Sequence, residues 1–113
     1  MVTITPEQLA ASGSEDGHQL ALMQWCALNF DKYPQLRRMV HVPNGGFRNK
    51  KEAAKLKAMG VKAGFPDLFL PYNNEKYNGL MIEMKKLKGG KTSAEQVDWL
   101  FYLDSQNFFA DVS

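Results

Sequence analysis

Cysteine is nearly absent from this 113-residue chain: Cys26 stands alone, so no internal disulfide can form. Its apolar surroundings suit a small core residue better than a nucleophile. With only His18 and His41 to join it, the chain also lacks the closely spaced ligands of a zinc cluster. Long apolar runs are missing too, none approaching the ~18 residues that span a membrane. The first residues, MVTITPEQLAASGSEDG, have no basic stretch followed by an apolar core. These features predict an intracellular protein. Low-complexity tracts and internal repeats are absent, and a composition 44% hydrophobic and 23% charged predicts one ordinary globular domain over 14–113 behind a flexible lead-in over 1–13.

What is present is unevenly placed. Residues 1–31 contain no Lys or Arg. Residues 37–62 then carry Arg37, Arg38, Arg48, Lys50, Lys51, Lys55, Lys57 and Lys62 against the single acid Glu52, and Lys85, Lys86, Lys88 and Lys91 form a second cluster. Such density favours a polyanionic partner through counterion release, although a solvated helix face gives the same count.

Element signals are clear along most of the chain. Ser14 caps a helix opened by Glu15 and Asp16, with Leu22, Met23, Trp25, Cys26 and Phe30 as its apolar stripe, ending before Pro34. RRMVHVPNGG reads as a short strand and a turn, in which Asn44, Gly45 and Gly46 either touch a substrate backbone or merely reverse the chain. Asn49 and Glu52 resemble a capping box for a helix over 50–59 that stops at Gly60. Two strands come next, around the loop YNNEKYNG. Thr92 and Glu95 read as the capping box of a third helix, whose apolar side is Val97, Leu100, Phe101 and Leu103, and FFADVS closes as a strand. The order is α-β-α-β-β-α-β, which predicts an α/β fold with a small mixed sheet: an antiparallel hairpin, then a right-handed crossover to a parallel last strand.

Charge within the two hairpin strands is the feature that carries chemistry. In the second, period-two alternation places Met81, Glu83 and Lys85 on one face and Leu80, Ile82 and Met84 on the other. Asp67 opens the first, after Pro66. Hairpin pairing brings Asp67 toward Glu83 and Lys85, giving the form PD…ExK. Two such carboxylates are what a hard divalent cation prefers, with the Met84 carbonyl and waters completing its shell. Lys85 can orient or deprotonate water and stabilise phosphate charge, so the set suits phosphodiester hydrolysis. The competing reading is a solvated Glu83–Lys85 pair on an edge strand. His41 fits a packed or rim position, and Trp25, Trp99 and Tyr102 fit the core or an interface.

The segments SEDGHQLALMQW, HVPNGG, LKAMGVKAGFPDLFL and GLMIEMKKLKGGKTSAEQVDWL resemble the virus-type replication and repair nuclease (VRR-NUC) domain of the PD-(D/E)xK nuclease superfamily, over roughly residues 14–110. The resemblance implies a restriction-endonuclease-like core and a Mg²⁺- or Mn²⁺-dependent endodeoxyribonuclease acting on branched DNA, similar to Holliday-junction resolvases. It further implies a homodimer working in the cytoplasm of a bacterial or phage-infected cell. Carried over by position, Asp67 and Glu83 become metal ligands with the Met84 carbonyl, Lys85 the catalytic lysine, Gln96 the helix glutamine and Glu15 the first-helix acid, with Asp16 adjacent to it. Arg48, Lys50, Lys51, Lys55, Lys62 and Lys86, with Asn44 and Gly45, become the DNA grip. Two rivals share the residues: a nuclease-fold module that binds DNA without cutting, and a sequence-specific restriction-type endonuclease, for whose base-reading element so short a chain leaves little room.

Overall fold

The computed structural model describes residues 15–43, 49–85 and 90–113. The expected lead-in, the Ser14 cap, Asn44, Gly45, Gly46, Arg48, Lys86 and Lys88 lie outside them. Within the described residues, helix α1 spans Glu15–Leu28 and a 3₁₀ turn spans Pro34–Arg38. They are followed by β1 (Val40–His41), α2 (Lys50–Ala58), β2 (Leu68–Leu70), β3 (Gly79–Glu83), α3 (Ala94–Ser105) and β4 (Phe108–Val112). The strands form one mixed sheet in the order β1-β2-β3-β4. β1, β2 and β3 run antiparallel to their neighbours, and β4 lies parallel to β3, as the α3 crossover requires.

Hairpin register sets which side chains share a face. Leu68 pairs with Ile82 and Leu70 with Leu80, which puts all four on the face covered by α1. Cys26, Met39, Leu68, Leu70 and Met84 form the buried cluster there, joined by Leu22, Met23, Phe30 and Leu36. Burial raises the Cys26 thiol above its ordinary pKa, consistent with an unreactive packing residue. One residue before the Leu68–Ile82 pair, the chain turns Asp67 to the other face, on the side of Glu83.

Three local expectations are corrected. Arg37 and Arg38 belong to the 3₁₀ turn, not to a strand: Pro34 sets its first φ, and only Val40 and His41 have partners on the short β2. The α3 capping box is framed one residue later than Thr92 and Glu95, on Ser93 and Gln96. Finally, the apolar stripe of α3 is split. Leu103 is buried, whereas Val97 and Phe101 point outward, Phe101 with 73% of its surface exposed.

Helix α2 is unusual in burying no residue. Its ends hold it. Asn49 Oδ1 accepts the Glu52 N–H at 2.7 Å. At the other end Gly60, at φ +107°, lets its own N–H reach the Lys57 carbonyl and the Val61 N–H reach that of Leu56. Lys50, Lys51 and Lys55 stand exposed along this helix.

Candidate active site

The acids meet where β2 begins and β3 ends. Continuing the Leu68–Ile82 register by one residue sets Asp67 opposite Glu83. One Asp67 carboxylate oxygen accepts the Met84 N–H at 2.8 Å, while the Asp67 carbonyl accepts the Val42 N–H at 2.7 Å. Glu83 is only 2% exposed, and its carbonyl accepts the Ser113 N–H just beyond β4. The first turn of α1 reaches the same point: carboxylate oxygens of Glu15, Asp67 and Glu83 all lie within 4.8 Å of one another. Asp16 is not in the cluster, because successive helical residues diverge by about 100° around the axis.

Electrostatics mark Glu83 out. Burial raises its carboxyl most, followed by the Asp67 hydrogen bond, the Asp67 charge and the Glu15 charge; Lys85 acts in the opposite direction. The net result is a pKa of about 8. Without a cation the site therefore holds a proton between crowded carboxylates, as like charges at this distance require. The donor set is entirely oxygen, two acids from strands and one from a helix, which fits a hard divalent cation and not a soft one.

Lys85 is held beside the acids by Gln96. Its Nζ donates to Gln96 Oε1 at 2.6 Å, and the same oxygen accepts the Ser93 N–H at 2.8 Å. One side-chain oxygen thus caps α3 and fixes the lysine. Gly64 makes the approach possible: at φ +85°, a Cβ there would sit 2.5 Å from the Glu95 carbonyl carbon and 2.7 Å from the Gln96 nitrogen. The GFPD loop lies directly against the first turn of α3.

Several contributors were not evident in the sequence. His18 Nδ1 lies 2.8 Å from the Lys85 carbonyl, and His41 Nδ1 lies 3.0 Å from that of Asp67. A carbonyl only accepts, so both rings carry their proton on Nδ1. The available signal for His18 was its position three residues after Glu15, on the same helical face. Met84 buries its side chain in the core and gives its N–H to Asp67. Lys50, Lys51 and Lys55 are exposed on α2, and Lys62 is exposed on the turn that follows it. Trp99 is half-buried against Phe65, whereas Tyr102 and Phe109 are exposed.

The VRR-NUC domain family matches residues 10–113, the segment that contains every one of these elements. The chain belongs to the VRR-NUC nuclease family. A solved VRR-NUC domain protein is similar at 28% identity and a TM-score of 0.70, the match covering 100% of this chain and 80% of that one. No curated protein matches the sequence. No helix among the described residues of this VRR-NUC chain is long and apolar enough to cross a membrane.

Proposed function

We propose that this VRR-NUC chain is a metal-dependent, structure-selective DNA endonuclease that resolves branched DNA as a homodimer. The observation that carries this reading is the convergence of Glu15, Asp67 and Glu83 within 4.8 Å, beside a lysine held by Gln96. Glu83 is buried in that cluster, and its ionised form there is expensive unless a cation compensates it.

Asp67, Glu83 and Glu15 would hold Mg²⁺ or Mn²⁺, with the Met84 carbonyl as a further oxygen. When bound, the cation supplies Lewis-acid activation of water and neutralises phosphate charge. The protein's own groups do the rest. Lys85, fixed by Gln96, orients the attacking water and stabilises charge on the scissile phosphate. Water oxygen bonds to phosphorus as the bond to the leaving sugar oxygen breaks; the water gives up a proton to solvent, and the leaving oxygen takes one up from solvent. His18 and His41 hold the backbone of Lys85 and Asp67 in place through their carbonyls. Lys50, Lys51 and Lys55, exposed along α2, and Lys62 just beyond it grip flanking phosphates. Arg48, Lys86, Asn44 and Gly45, outside the described residues, are further candidates for DNA contact.

Two symmetric cuts in a four-way junction need two sites related by a two-fold axis. The outward Val97 and Phe101 on α3, next to Ala110 of β4, offer an apolar patch for a second copy. The test is cleavage with Mg²⁺ of matched duplex, nicked, flap and four-way substrates, with light scattering to count copies. Paired cuts on the junction by a dimer are expected; equal rates on junction and plain duplex, or no cutting with any divalent cation, contradict the reading.

A further inference from the structure

Beside the acids lies an aromatic wall that the hydrolytic chemistry leaves unused. Phe65, two residues before Asp67, meets Trp99, one helical turn after Gln96, edge to face with ring centroids 5.0 Å apart. Trp99 in turn meets Tyr102, ring centroids 5.9 Å apart. The indole is fixed, because its Nε1–H donates to the Ala63 carbonyl at 3.1 Å. Phe65 and Trp99 border an open groove of about 540 Å³, whose other walls include Val42, Met59, Val61 and Lys62. Val42 gives its N–H to the Asp67 carbonyl, which ties the groove to the acid cluster through one hydrogen bond.

We infer that this groove receives an unpaired nucleobase of the substrate strand next to the scissile phosphate. The inference rests on the nuclease reading and deepens it. Its volume falls within the ~300–1,000 Å³ of small-molecule sites, and its walls are mainly apolar and aromatic, as the face of a base requires. Charge agrees: Lys62 lies in the groove wall, and Met59 ends the lysine-bearing α2, so a base entering here brings its phosphates to a basic rim. Aromatic platforms with neighbouring cations are how proteins hold single-stranded nucleic acid without reading sequence. A plain duplex must break its own stacking to fill the groove, whereas a flap or an opened junction offers the base freely. The groove thereby supplies a physical origin for selectivity by DNA structure.

The test uses a flap substrate with 2-aminopurine at the unpaired nucleotide next to the branch, bound in Ca²⁺, alongside a plain duplex of equal length. Wild-type protein should quench the fluorophore on binding and prefer the flap by about tenfold, the order expected for one stacked base. Met59→Glu puts a carboxylate at the groove from a position 72% exposed, where folding is not at stake. It should abolish the quench and lower flap affinity well beyond any loss for duplex; Trp99→Leu should do the same. Persistent quenching in both variants, or equal losses on flap and duplex, overturns the proposal. So does a Met59→Glu protein that changes from dimer to monomer while still quenching, since the groove would then be a protein interface. Wild-type protein that quenches in Ca²⁺ but cuts nothing in either Mg²⁺ or Mn²⁺ sinks the nuclease reading and leaves the groove standing.

Discussion

Cation binding should expel a proton, and Glu83 sets how much. A carboxyl with a pKa of about 8 is about nine-tenths protonated at pH 7, yet a cation needs it ionised. Binding at pH 7 should therefore release most of one proton, and apparent affinity should rise with pH up to about 8 before levelling off above it. Titration calorimetry with Mn²⁺, in two buffers of equal pH and different ionisation enthalpy, reads the proton count directly. Glu83→Gln should remove the release. A second consequence concerns stability in chelator. The folded pKa lies above the ordinary 4.5, so this group's contribution is complete below pH 4.5 and is lost as pH rises through about 8. The melting temperature in EDTA should fall between pH 5 and 9, and cation should restore it. Affinity that is flat from pH 6 to 8, with no proton released, would refute this electrostatic origin of the coupling.

Other residues separate by role. Lys85→Ala should lower turnover with little change in DNA affinity, while Lys51→Ala and Lys55→Ala weaken binding and flatten its salt dependence by about 0.9 per lost phosphate contact; equal effects on affinity alone would remove the distinction. Gln96→Ala should cut turnover on the order of 100-fold through misplacement of Lys85, with about 1 kcal/mol of stability lost from the α3 cap, and Gln96→Glu, which keeps the acceptor, should recover part of the rate in steady-state assays. Gly64→Ala should destabilise by about 2 kcal/mol or more in chemical denaturation, since φ +85° and a backbone contact at 2.5 Å act together, and should lower turnover as α3 is pushed from Lys85.

The hairpin was legible because period-two alternation and a turn-rich loop fix both register and face. From that register alone Asp67 and Glu83 had to meet. The parallel β4 followed from the length of the α3 crossover. Less was readable where two local signals tie. Thr92–Glu95 and Ser93–Gln96 both satisfy the capping-box spacing, and the choice depends on a long-range bond, Gln96 to Lys85, that no local pattern contains. Glu15 and Asp16 are equally good first-turn acids, separated only by the angle at which α1 meets the sheet. Val97 and Phe101 look like core in a helical pattern because an outward apolar strip and a buried one have the same period. The groove was invisible for a further reason: Phe65, in the loop before β2, and Trp99, on α3, are 34 residues apart.

Everything proposed for the chemistry depends on Glu15, Asp67 and Glu83 together holding one divalent cation. Anomalous diffraction from crystals grown with Mn²⁺ tests this most directly. The expected result is a peak bonded to carboxylate oxygens of all three residues at about 2.0–2.6 Å, and no such peak in Glu83→Gln. Ordered protein at saturating Mn²⁺ with no peak among these acids, or a peak that persists unchanged in Glu83→Gln, would contradict it.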